Sequence, residues 1–246
     1  MRRSALGIAL LFASQLAVAA VAETNPFLEA GIPAATRPWT GPDYERTVEI
    51  LTAGKVPLPK FSDPEGAALL RRMTSLDNLS LERDQNLPLS VRMPDFLQLE
   101  QAAGKLLMLY GDAKEGDYRS ELVHITAFVL HSSAQGVDLV EEFLPTLVKD
   151  ETYAARMAGL KQMKEGMTTI FVSAEQLLAE ENGFSEENLS VLLDAMASSL
   201  SRLKKGFPPD VRIELRKKLE ADKARFKKAE DAKRLDRMIG ELGGAT

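Results

Sequence analysis

The sequence predicts an all-α protein: a helical bundle of about seven or eight helices, with an extended N-terminal lead-in and a long charged C-terminal helix. Three observations support this prediction. From Pro42 onward, apolar residues recur at spacings of three and four, which is the period of an amphipathic helix. Proline and glycine clusters separate these stretches, and no stretch alternates apolar and polar residues as a half-buried strand does. The 45% apolar and 27% charged composition is that of a folded globular protein.

The N-terminal segment, residues 1–22, has the pattern of a signal peptide. Arg2 and Arg3 give a positive start, and residues 5–16 are largely apolar. Small residues follow at the positions that a signal peptidase reads, so we expect cleavage after Ala22. The apolar run is too short to span a bilayer comfortably, and we expect no stable membrane anchor. The cleaved protein is therefore expected to be soluble, in the periplasm or secreted.

Residues 23–63 are expected to form a proline-rich lead-in with one short helix. Four prolines and two glycines precede position 43 and disfavour regular structure there. Pro42, at the first helical turn, starts the short helix and Gly54 ends it. The following segment, residues 56–59, contains two prolines and is expected to be a non-helical connector. The apolar side chains of the lead-in that can lie against the body are Phe27, Leu28 and Trp39.

Residues 64–206 are expected to form the helical body. The stretch 118–133 is apolar on nearly every side, as in a helix surrounded by others, so we place it at the centre of the core. Residues 132–136 are expected to be a hinge or loop, and Asn182 and Gly183 to end the longest helix. The predicted helices run over about 63–77, 94–110, 118–133, 137–148, 151–181 and 185–206.

Residues 207–246 are expected to form a charged helix from about Val211 to Glu241, with a narrow apolar seam. Residues 202–246 hold 14 Lys/Arg and 8 Asp/Glu, a net charge of +6, whereas residues 23–201 hold 15 and 28, a net of −13. An acidic body disfavours nucleic-acid binding. Whether this helix packs across the body or projects from it is left open, and a protein partner is predicted to bind through its seam. Self-association is left open.

The candidate metal ligands are Glu121, His124 and His131. The two histidines lie seven residues apart, close to one face of the predicted central helix. Glu121 precedes His124 by three residues, which gives the Glu-x-x-His pattern of carboxylate di-metal bundles. Such sites need a second pair of this kind, and the chain has only two histidines. A metal-binding or metalloenzyme bundle is therefore kept as the alternative function.

The longest predicted helix carries methionines and a seam of small and polar residues. Met163 and Met167 fall in line with neighbouring apolar residues, so core packing is favoured over copper binding. Glycine inside a helix costs about 1 kcal/mol relative to alanine, so the two glycines of the seam need a reason. Close packing or solvent exposure is favoured over a groove for a ligand or peptide. The seam consists of Gly159, Gln162, Gly166, Thr169, Ser173 and Gln176.

No recognisable catalytic constellation is present in the sequence. There is no nucleophile elbow, phosphate-binding loop or dinucleotide fingerprint. The absence of cysteine excludes thiol catalysis, iron–sulfur clusters and disulfides. No cofactor and no catalytic residue are predicted, and enzymatic activity is the less favoured reading. The sequence favours an exported helical protein that acts by non-catalytic binding or scaffolding of an envelope or extracellular partner.

Overall fold

A computed structural model describes residues 25–34, 36–113, 116–180 and 184–243. Within these ranges the chain is all-helical, as predicted, and eight of its α-helices have ten residues or more. None of the helices described combines the length and apolarity of a membrane span. The predicted signal peptide and the predicted helix end at Asn182 and Gly183 lie outside the described residues. The helices are α1 (Pro26–Glu29), α2 (Gly41–Thr52), α3 (Pro64–Met73), α4 (Ser80–Arg83), α5 (Leu89–Gly111), α6 (Arg119–Phe143), α7 (Tyr153–Ala179), α8 (Glu186–Leu203), α9 (Pro209–Asp222) and α10 (Ala229–Gly243).

Side-chain caps determine where three of these helices begin. Thr40 and Asp43 form a capping box at the start of α2. Asp63 accepts a 2.7 Å hydrogen bond from the backbone of Gly66 at the start of α3. Ser185 accepts one of 3.2 Å from the backbone of Asn188 at the start of α8. The predicted starts of these helices are therefore confirmed.

Helix α5 begins at Leu89 and includes Pro94, where the sequence predicted the start. The additional turn is held by Arg92, whose side chain is buried. Its Nε donates a 2.9 Å hydrogen bond to the carbonyl of Leu87, and its guanidinium pairs with Glu142 of α6. These contacts offset the backbone hydrogen bond that a proline cannot donate.

Helix α6 runs unbroken through residues 132–136, so the predicted hinge there is wrong. The glycine that suggested the hinge, Gly136, serves close packing. A Cβ atom on it would lie 2.2 Å from Cζ of Phe96 and 2.8 Å from Cε of Met167. Glycine therefore lets side chains of α5 and α7 approach the α6 backbone. The separate helix predicted over 137–148 is the end of α6 followed by a 3-10 turn at Leu144–Thr146.

Helix α6 lies between two apolar cores and is central, as predicted. One core joins the lead-in with α2, α3, α5 and α6, and the other joins α5 through α10. Ile125 and Phe128 belong to the first core, and Leu130 belongs to the second. In the lead-in, Phe27 and Trp39 are buried in the first core, whereas the side chain of Leu28 is 51% exposed.

The C-terminal segment forms two helices, α9 and α10, where the sequence predicted one. The turn between them lets both apolar seams face the body, and Leu215, Leu219, Leu235 and Met238 are buried. Arg225 holds this turn, because its guanidinium donates hydrogen bonds of 2.9 and 2.8 Å to the carbonyls of residues 178 and 180 at the end of α7. A continuous helix would have buried one seam at most.

Candidate functional site

Glu121, the first candidate metal ligand, is used by the fold. It is 4% exposed, and its Oε1 accepts a 2.6 Å hydrogen bond from the backbone N–H of Phe61. The Phe61 ring packs on the imidazole of His124, with 4.7 Å between the ring centroids. The Glu-x-x-His spacing therefore places both side chains against the connector that precedes α3.

His124 and His131 line one cleft of about 430 Å³ between α6 and α8. Burial lowers the pKa of both imidazoles, and nearby carboxylates oppose part of this effect. Both rings are therefore expected to be neutral at pH 7. The cleft also holds Arg234, whose guanidinium pairs with Asp194 at 2.8 Å and with Asp231 at 3.0 Å.

No three His, Asp or Glu side chains in the described part of the chain are grouped closely enough to hold a metal ion. Glu121 is turned toward Phe61, and the two histidines line the cleft with α8. The metal hypothesis gains no geometric support from these residues and stays a prediction from the sequence.

A different feature, a groove of about 480 Å³, lies between α5 and α7. Both helices pack on α6, and the space between them is left open. Its volume is in the range of small-molecule sites, about 300–1,000 Å³. We call it the α5–α7 groove. Its apolar lining consists of Met93, Leu97, Phe143, Leu160, Met163, Met167 and Ile170.

The small and polar seam of α7 is exposed along its whole length. A Cβ atom on Gly159 or Gly166 would meet no described atom within 4 Å. Close helix packing, one of the two explanations favoured from the sequence, is therefore wrong, and solvent exposure is correct. Both glycines also border the α5–α7 groove, so the less favoured explanation, a groove, describes the same positions.

Glu100 of α5 brings a carboxyl group into this apolar lining. Its Oε1 is buried and accepts no hydrogen bond from any described residue, while Oε2 lies 3.4 Å from the hydroxyl of Ser133. Burial raises the pKa of Glu100 to about 7, and the hydroxyls of Ser132 and Ser133 oppose part of that rise. The carboxyl is therefore balanced between its neutral and charged forms at neutral pH.

Sequence reasoning missed Glu100, although a signal was present. Glu100 follows Phe96 by four residues and precedes Ala103 by three, and both of these neighbours are buried. A carboxylate at that spacing lies on the apolar face of its helix. An acid on an apolar helix face is the pattern that could have identified it.

Arg156 stands where α7 begins, at one end of the groove. Its guanidinium donates hydrogen bonds to the carbonyl of Val148 at 3.1 Å and to Asp150 at 2.6 Å. The positive charge of Arg156 is therefore balanced by Asp150, and the pair holds the loop before α7 against the groove. The carboxyl of Glu100 has no corresponding partner among the described residues.

A second buried carboxyl, Glu82, lies away from the groove in a polar cavity of about 540 Å³. The side chain is 0% exposed, and neither oxygen has a hydrogen-bond partner among the described residues. Burial raises its pKa to about 8, and the nearby Asp95 adds to the rise. Glu82 is therefore expected to be protonated in the folded protein at neutral pH.

Comparison of the chain with protein-family models, curated proteins and solved structures gives no match. The α5–α7 groove offers an open apolar surface, one carboxyl oxygen of Glu100 without a hydrogen-bond partner among the described residues, and, at one end, the Arg156 guanidinium, whose charge is balanced by Asp150.

Proposed function

We propose that this protein acts by non-catalytic binding and that the α5–α7 groove is its ligand site. The observation that carries the proposal is an open apolar groove bordered by two helical glycines, Gly159 and Gly166, with free space where their side chains would stand. An apolar concavity with a small number of polar groups is the usual form of a small-molecule site.

The cost of the glycines supports this proposal. Each helical glycine is about 1 kcal/mol less favourable than alanine, and neither Gly159 nor Gly166 is required by close packing in the described structure. A leucine or longer side chain at either position would extend over the groove. Keeping the groove accessible is a physical reason for glycine at both positions.

The groove lining favours binding over catalysis. Its ionisable residues are Glu100 and Arg156, and the latter is already paired with Asp150. The histidines lie in the separate cleft between α6 and α8. A nucleophile next to a general base, which covalent catalysis requires, is not found among the groove residues.

We propose the groove as the binding surface in place of the C-terminal helix. A partner was predicted for the C-terminal helix because its apolar seam lacked a packing surface. In the structure, the apolar residues of α9 and α10 are buried in the second core of this chain. Residues 1–22 support the further proposal that the protein is exported and meets its ligand in the periplasm or outside the cell.

The experiment is a titration with Nile red, a neutral apolar dye whose fluorescence rises in an apolar site. We expect the wild type to bind the dye, and Gly166→Leu to weaken binding at least about tenfold by filling the groove. The matched control is Gly240→Leu, because Gly240 is also a helical glycine with free space around it but lies on α10. Equal binding by all three proteins would overturn the proposal.

A further inference from the structure

The α5–α7 groove contains an acceptor that the described part of the chain leaves without a partner. Oε1 of Glu100 is buried and receives no hydrogen bond there, whereas the other carboxyl oxygen, Oε2, accepts a 3.4 Å hydrogen bond from the hydroxyl of Ser133 on α6. A buried carboxylate without a donor is unfavourable, and a cation beside it removes that penalty. The groove therefore favours a ligand that brings a positively charged donor to this position.

The remaining charges in and around the groove also favour a cation. Arg156 is the cationic residue of the lining, and Asp150 balances it at 2.6 Å, so it offers little attraction to an anionic head group. Gln101 is uncharged. Residues 23–201, which include both groove helices, carry a net charge of −13, and a field of this sign attracts cations.

We infer, on the basis of the proposed function, that the α5–α7 groove binds an amphiphile with an apolar body and a protonated amino head group. The ammonium pairs with the carboxylate of Glu100, and the apolar body packs on Met93, Leu97, Leu160 and Met163. An ammonium supplies three donors, and hydrogen bonds between opposite charges are stronger than those between neutral groups. Methionine side chains adapt to apolar bodies of different shapes.

The test compares three probes of equal chain length by isothermal titration calorimetry: decylamine, 1-decanol and decanoate, each below its micelle concentration. The titrations use the full chain at pH 8, where Glu100, with a pKa of about 7, is mostly ionised and the amine is still protonated. We expect decylamine to bind about tenfold or more tighter than 1-decanol, because the charge-assisted bond to Glu100 is added. Decanoate should bind weakest.

Two variants connect this preference to Glu100. Glu100→Gln keeps the size of the side chain and removes its charge, so it should abolish the preference for decylamine over 1-decanol. Glu165→Gln is the matched control, because Glu165 is an exposed acid of α7 that lies outside the groove lining and pairs with Lys161. The control should keep the full preference for the amine.

The outcomes separate this inference from the proposed function. Equal affinity for the three probes, weakened equally by Gly166→Leu, would overturn the amine inference and leave the groove as a binding site. A preference for decylamine that survives Glu100→Gln would also overturn it, as would tightest binding of decanoate. If Gly166→Leu affects neither Nile red nor any of the three probes, the proposed function fails as well.

Discussion

The backbone N–H of Phe61 donates a 2.6 Å hydrogen bond to the carboxylate of Glu121, which joins a proline-containing connector to the central helix. The connector has few hydrogen bonds of its own, because Pro57 and Pro59 have no N–H group. The hydroxyl of Tyr110 holds the same connector by donating a 2.9 Å bond to the carbonyl of Pro59. Through their contacts with Phe61, Glu121 and His124 thus hold the segment before α3 against α6.

Replacing Glu121 by alanine should lower the free energy of unfolding by about 1–3 kcal/mol, because the N–H of Phe61 is left without its acceptor. Glu121→Gln is the control, since its side-chain carbonyl can still accept the bond, and it should lose clearly less. Urea unfolding followed by circular dichroism measures both. Equal losses for the two variants would show that the hydrogen bond is not what Glu121 contributes.

The helical glycines are expected to respond oppositely to alanine. Gly166→Ala should raise the free energy of unfolding by up to about 1 kcal/mol, because a methyl group meets open space and alanine favours the helix. Gly136→Ala should lower it by about 1–3 kcal/mol, because the methyl group collides with the Phe96 ring. Thermal unfolding of the two variants checks the signs, and destabilisation by Gly166→Ala would contradict the open groove.

The protein should lose stability as the pH rises from 6.5 to 8. The pKa values of Glu82, about 8, and Glu100, about 7, lie above the ordinary 4.5, so the folded state holds protons that the unfolded state releases. Their stabilising contribution is complete below pH 4.5 and is lost as the pH rises through 7 and 8. One such group changes the free energy of unfolding by up to about 1.4 kcal/mol per pH unit.

The half-buried histidines, His124 and His131, act in the other direction and below this window. The lowered pKa values of His124 and His131 mean that their contribution is lost as the pH falls below about 6.5. Urea unfolding at pH 6.5, 7.2 and 8.0 therefore measures the contribution of the buried carboxyls without that of the histidines. Glu82→Gln should flatten the slope over these three values, and a wild-type slope that persists in this variant would exclude Glu82 as its source.

The α9–α10 pair should be required for the stability of the body. Leu235→Ala removes a fully buried side chain from the second core and should cost about 2–5 kcal/mol. Ile213→Ala is the matched control, because the side chain of Ile213 is 71% exposed, and its effect should stay within about 0.5 kcal/mol. Denaturant unfolding measures both, and similar small effects would mean that the pair is dispensable.

Local patterns were sufficient for most of the fold. Pro42 at the first turn of α2 and the all-round apolarity of α6 are properties of neighbouring residues, and each led to a correct element. The prediction of a break near Gly136 was wrong, because glycine occurs both where helices break and where they pack closely. Only the position of the Phe96 ring distinguishes the two cases. The turn between α9 and α10 was not predicted, because apolar residues at helical spacing occur on both sides of it.

The candidate site was only partly accessible from the sequence. The seam of small and polar residues on α7 could be recognised from its spacing in the sequence. The groove beside it could not, because the groove exists only where α5 and α7 pack on α6 at a distance from each other. The hydrogen bond from the backbone of Phe61 to the carboxylate of Glu121 could not be predicted, because the two residues are 60 positions apart in the chain. The raised pKa of Glu100 is likewise produced by burial between elements distant in sequence.

The first half of α7 contains no buried residue: from Tyr153 to Gly166 every side chain is exposed or partly exposed, and burial begins at Met167. Stretches with few buried contacts open at low free energy, so their amides exchange with deuterium early. We expect exchange along α7 to change from fast to slow near Met167. A ligand in the groove would then slow amide exchange in this half, which would be a direct measure of occupancy.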